Sequence, residues 1–249
     1  MSTESPAVSE TVSPQLSGKT PWLAVEMSAV FLVLPALIAF VPIKVPLIPL
    51  LVVMALTCLW LLRRDPSFDR RQLWNAKVIR RADLLFILGR FAVLAAVLAG
   101  LLQVCLGKEI WGLKFPPEMW MLPRYKPWIW VAVMVGYPIV SVLLQNVVWR
   151  AFFFHRYRSL FGTGVGMVAA SAVAFGWVHV VMLNWFAVVA TLVGGVMFAQ
   201  TYRRSGSMLL SSIEHALYGC WVFTVGYGLM FLYGSLPPEA REMLRSAGG

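Results

Sequence analysis

The sequence predicts an all-α, polytopic helical membrane protein of about seven transmembrane helices, six to eight at the limits. Three observations predict it. Of the 249 residues, 59% are hydrophobic and only 13% charged, about half the charged share of an ordinary soluble domain. The apolar residues gather into runs near the ~20 residues that a spanning helix needs. The basic residues gather between those runs.

The elements follow in chain order. Residues 1–20, "MSTESPAVSETVSPQLSGKT", are polar and rich in Ser, Thr and Pro, as a disordered tail would be. They lack the basic start and apolar core of a cleaved signal peptide. A transmembrane domain is expected over 21–235, with spans at 22–43, 45–62, 84–106, 128–150, 164–183, 185–202 and 207–233. The first two are parted only by Lys44 and nearby prolines, so a broken pair stays open beside two short spans. Residues 236–249 form a short polar tail.

With the N-terminus inside, thirteen Lys and Arg fall on the inner side and seven on the outer. That bias expects a cytoplasmic N-terminus. Arg90 lies within the third span, close enough to its inner end to snorkel, and Glu26 lies near the start of the first. The connection 63–83 is basic, and its Trp74, Val78 and Ile79 suit the headgroup layer. The segment 107–127 carries Trp111, Trp120 and Tyr125, as an interfacial belt would. The net charge of +10 does not point to nucleic acid, because no basic patch alternates with exposed aromatics. Cys58, Cys105 and Cys220 sit in apolar runs with neither metal nor disulfide spacing. Membrane lipids are the partner that composition implies.

The second half holds the polar chemistry. Span four carries Gln145, Asn146 and Arg150, span five His179, and span seven Glu214 and His215, with Asn184 at a turn. Such groups are costly inside a bilayer and are functional candidates for that reason. At 1.5 Å per residue, Asn146, His179 and His215 each come roughly 15–20 Å from the inner ends of their helices. One midplane cavity could gather them. Asn146 and Arg150 are four apart and share a face, as do Phe175 with His179, His215 with Gly219, and Glu214 with Tyr218. A Glu214–Arg150 ion pair is expected if spans four and seven touch; Glu214 as a general base is the alternative. No cofactor is expected. A zinc site on His179, His215 and Glu214 has the right donor types, but no HExxH motif accompanies it.

The order "QNVVWR", "FGWVH", "HALYG" resembles the three motifs of the CAAX-protease and bacteriocin-processing (CPBP, Abi) membrane endopeptidases: EExxxR, FxxxH and HxxxN. The likeness covers about 128–230, and the run "RAFFFHRY" continues it. The resemblance implies a helical core in which a motif glutamate activates water, while two histidines and a polar residue orient it or hold the oxyanion. It implies a membrane-anchored or prenylated peptide as substrate, and a bacterial inner membrane as location. By position, Gln145 and Asn146 stand on the paired glutamates and Arg150 on the arginine. Phe175 and His179 stand on the second motif, and His215 on the third. Gly219 stands where Asn is common. Trp149, Phe175, Tyr218 and Gly219 would line the site.

Two departures touch the chemistry. An amide cannot take a proton from water, and a lost general base costs typically 10²–10⁴-fold. The sequence therefore supports two readings: a CAAX-type endopeptidase, weakened or inactive, and a catalytically inactive member that binds membrane peptides or partner proteins. A small transporter is a further class, and no inverted repeat favours it.

Overall fold

The computed structural model describes residues 20–41 and 45–232. Both expected tails beyond these limits, and Lys44, lie outside the described residues. Among the described residues, seven helices are long and apolar enough to cross a membrane: α1 (Pro21–Phe40), α2 (Leu47–Arg64), α3 (Arg81–Cys105), α4 (Pro127–Arg156), α5 (Val165–Met182), α6 (Trp185–Ser205) and α7 (Met208–Val225). The first two runs are separate helices. The non-helical addition is a two-stranded antiparallel hairpin, Glu109–Ile110 with Leu113–Lys114, inside the expected interfacial segment. Trp111 there is 84% exposed.

The connections gather at two ends. At the basic end, His155 meets Asp65 at 2.8 Å and Arg156 meets Glu26 at 2.6 Å. Tyr202 donates to Gln72 at 2.9 Å, and Asn75 donates to the Gly206 carbonyl at 3.2 Å. The 63–80 connection is thus tied across the ends of α4 and α6. His155 beside Asp65 holds that carboxyl well below the usual carboxylate range. At the other end, the Trp120 N–H donates to the Val225 carbonyl at 3.1 Å. Asn184 donates to the Met230 carbonyl at 2.7 Å while accepting from the Ala187 N–H at 2.9 Å. Asn184 is therefore the cap that starts α6.

Helix packing follows side-chain size. On α5 and α6 the backbones approach closely. A Cβ on Gly195 would lie 3.0 Å from the Ala172 Cα, and one on Gly176 would lie 2.9 Å from the Leu192 Cβ. Small residues permit this contact where lipid gives no hydrophobic drive between helices. Gly206, at φ +60°, ends α6 in the left-handed region, and Ser207 accepts from the Leu210 N–H to cap α7. Phe31 docks α1 onto α4, with its ring edge-on to Phe153 at 5.1 Å, Tyr157 at 5.9 Å and Trp149 at 6.0 Å.

Helix α4 positions the site. Its 30 residues span about 45 Å, more than a ~30 Å hydrocarbon core. It therefore runs on through His155 to the basic end. Two wide turns interrupt it, Pro138–Val142 and Val147–Phe152. Pro138 lacks an N–H and its ring crowds the carbonyl four residues back, which accounts for the first. The second runs from just after Asn146 past Arg150. Such insertions concentrate at functional sites.

Candidate active site

Phe175 is the hub. Its ring centre lies 5.0 Å from that of His179, 5.4 Å from that of His215 and 5.0 Å from the Arg150 guanidinium carbon. Three helices, α4, α5 and α7, therefore bring Asn146, Arg150, His179 and His215 to one buried cluster, each less than 9% exposed. His179 begins a tight turn, His179–Met182, that ends α5.

The hydrogen bonds assign each group a protonation pattern. Asn146 Nδ2 donates to the Val142 carbonyl at 2.9 Å and contacts His215 Nδ1 at 3.2 Å. Ser211 Oγ lies 3.0 Å from both Asn146 Oδ1 and the Phe198 carbonyl, with one proton to give. The Val142 carbonyl, which only accepts, fixes which end of the amide is NH₂. Both its hydrogens are then engaged, so His215 Nδ1 is an acceptor and the ring proton sits on Nε2. From there it donates to the Tyr137 oxygen at 3.2 Å. His215 has no free lone pair in this arrangement. His179 differs: its Nδ1 faces the Phe175 carbonyl at 2.7 Å. A carbonyl only accepts, so the proton is on Nδ1, and the Nε2 lone pair has no hydrogen-bond partner among the described residues. Phe198 stacks on His215 at 4.6 Å and 16°, closing one face.

Arg150 is 1% exposed. Its Nη1 donates to Ser171 Oγ at 2.8 Å and to the Trp149 carbonyl at 3.3 Å. The cation also faces the Phe198 ring, 5.9 Å from its centre. The expected Arg150–Glu214 pair is corrected here. Glu214 faces the other way, bonded to Arg90 through one oxygen and accepting from Thr201 through the other at 2.6 Å. Adjacent residues on a helix diverge by about 100°, so His215 facing α4 sends Glu214 toward α3 and α6. Arg90 consequently turns inward rather than snorkelling. The zinc alternative loses its third ligand for the same reason, and among the described residues no group of three His, Cys, Asp or Glu is placed for a metal.

Other expected site residues stand apart. Gln145 donates to Ser141 at 2.8 Å, and its Oε1 has no partner among the described residues. Trp149 packs edge-on to Phe175 at 5.7 Å. Tyr218 lies against Phe91 at 5.3 Å, its hydroxyl unpartnered among the described residues. Gly219 leaves room for a side chain rather than for a ligand, because a Cβ there would overlap the Tyr137 ring. Tyr137 was not legible in the motif spacing. Ser211 was missed too, although its position one helical turn before His215 puts it on the same face. Gly219→Asn is expected to destabilise the fold by about 1–3 kcal/mol through overpacking. Combined with Tyr137→Ala, the loss should fall short of the sum of the two single losses. Unfolding in detergent micelles checks it, and simple additivity would refute the Tyr137–Gly219 contact.

Residues 126–221 match the family model described as type II CAAX prenyl endopeptidase Rce1-like. The matched segment holds all of α4, α5 and α6 and most of α7, with every group of the Phe175 cluster. Comparison with curated proteins and with solved structures finds no match. The family match supports the CPBP resemblance, and with the seven apolar helices it marks the chain as an integral membrane protein.

Proposed function

We propose that this chain is a CPBP-type intramembrane endopeptidase whose cluster around Phe175 receives a membrane-anchored or prenylated peptide, and whose hydrolysis is slow as the sequence stands. The observation that carries this reading is the convergence of Arg150, His179 and His215 on one aromatic ring, with Asn146 bonded to His215, within the segment matched by the Rce1-like family model. In this reading His179 Nε2 holds the attacking water, being the one ring nitrogen of the pair with a free lone pair. The Arg150 guanidinium and the Tyr137 hydroxyl supply positive character toward the developing oxyanion. The N-terminus is cytoplasmic, from the basic bias of the connections.

A second reading is favoured by two specific observations. The His215 lone pair is capped by the Asn146 amide, and Glu214 is engaged by Arg90 and Thr201. A scaffold that binds such peptides without cutting them would have the same geometry. The two readings separate in liposomes carrying a prenylated reporter peptide, with binding and cleavage measured together. Slow cleavage that His179→Ala abolishes, with binding retained, is the expected result. Binding without cleavage selects the scaffold. Absence of binding in lipid sinks both.

A further inference from the structure

A cavity of about 510 Å³ opens at the basic end, between α3, α6 and the start of α7. It belongs to none of the chemistry above, since neither histidine, nor Asn146, nor Arg150 lines it. Its polar lining includes Arg80, Asp83, Arg90, Gln200 and Arg204. Asp83 offsets Arg80 at 3.0 Å, and Glu214, behind the wall, offsets Arg90. Arg204 has no carboxylate within ion-pair distance among the described residues. Three guanidinium groups against two carboxylates leave one positive charge in excess. Arg90 also lines the cavity, with its guanidinium held by Glu214 and Thr201 and its side chain 18% exposed.

The remaining wall is apolar. Phe86, 54% exposed, and Val78, 39% exposed, line the cavity, and the neighbouring Leu85 and Leu88 on α3 are exposed as well. On a membrane-spanning helix, that face meets acyl chains. The ligand that matches a single excess positive charge and an adjoining apolar face is amphipathic and singly anionic. Arginine is suited to phosphate oxygens, and basic pockets between spanning helices hold anionic head groups. The geometry points to a binding site for the phosphodiester head group of an anionic phospholipid. Arg204 supplies the uncompensated charge for the head group, with Arg80 and Arg90 beside it in the lining, and the acyl chains lie along Phe86 and the outer face of α3. Free phosphate offers the same oxygens without the apolar part, so the two sources are separable.

The test uses the full chain in detergent, titrated with phosphatidylglycerol, phosphatidylcholine or inorganic phosphate. Native mass spectrometry counts retained lipid, and thermal unfolding reads the effect on stability. One phosphatidylglycerol per chain should be retained in preference to phosphatidylcholine. Arg204→Gln should weaken it about fivefold, the worth of one basic side chain near an anionic surface. Arg204 is exposed, so this variant is expected to fold as the parent does; Arg80→Gln, also exposed, serves as a second variant with a smaller effect. Equal retention of both lipids, or phosphatidylglycerol binding that neither variant weakens, overturns the site. Inorganic phosphate stabilising the protein as much as the lipid does overturns the lipid assignment.

Discussion

Asn146→Glu is expected to raise peptide hydrolysis by about 10²–10⁴-fold, the usual worth of a positioned general base. Among the described residues no carboxylate faces the Phe175 cluster. The Asn146 amide donates to His215 Nδ1, which forces the ring proton onto Nε2 and toward Tyr137. An amide in place of an acid beside a catalytic histidine selects the wrong tautomer, and that exchange alone costs several orders of magnitude in a serine-protease triad. A carboxylate at 146 accepts instead of donating. It reverses the proton on His215 and frees Nε2, while itself offering a base for water. It also sets a negative charge one turn from Arg150, which is buried with neutral partners only, among the described residues. The variant is checked with a prenylated reporter in lipid, together with the ¹⁵N shifts of the His215 ring. Asn146→Asp should switch the same tautomer with a shorter reach, and so recover less activity. If the tautomer switches and the peptide binds but turnover does not rise in either variant, a missing base is not what limits the site.

How much of this was legible in the sequence differs from residue to residue, for physical reasons. The seven helices were legible because the apolar runs are long enough to span and three of them meet basic pairs, Arg63–Arg64, Arg80–Arg81 and Arg203–Arg204, as inner ends do. Asn146, Arg150, His179 and His215 were legible because polar groups in apolar helices are rare enough to be read individually. Partnerships were not. Glu214 and Arg90 are 124 residues apart, and no periodicity links separate helices. Arg150 seemed the nearer partner only because the order of helices around α7 was unknown. Gly219 signalled that something close would fill its space, yet the filler, Tyr137, lies 78 residues earlier than His215 and resembles any aromatic residue of an apolar helix. Gln145 shows the reverse error. Sequence adjacency to Asn146 suggested a shared role, but the helix turns it away toward Ser141.

Arg90→Leu is expected to destabilise the protein by about 3–5 kcal/mol, because it strands a buried carboxylate. Glu214 has no exposed side-chain surface, and Arg90 is 18% exposed. Thr201 would remain as the donor to one oxygen, and one neutral hydroxyl does not balance a full charge inside an apolar bundle. The double variant Arg90→Leu, Glu214→Leu removes both charges and should recover most of the loss, since a buried pair is often matched by apolar residues of similar volume. Glu214→Gln should fall between the two, with an amide oxygen still able to accept from Arg90. Unfolding in micelles measures all three. The same series separates structure from catalysis at α7. In an Asn146→Glu background, Glu214→Gln should lower stability yet leave turnover per folded molecule unchanged, because the carboxylate points away from His215 toward α3 and α6. If Arg90→Leu is as stable as the parent, the pair does not hold these helices together. If Glu214→Gln instead abolishes turnover in well-folded protein, Glu214 is the base after all, and the Arg90 contact is one that opens during the reaction.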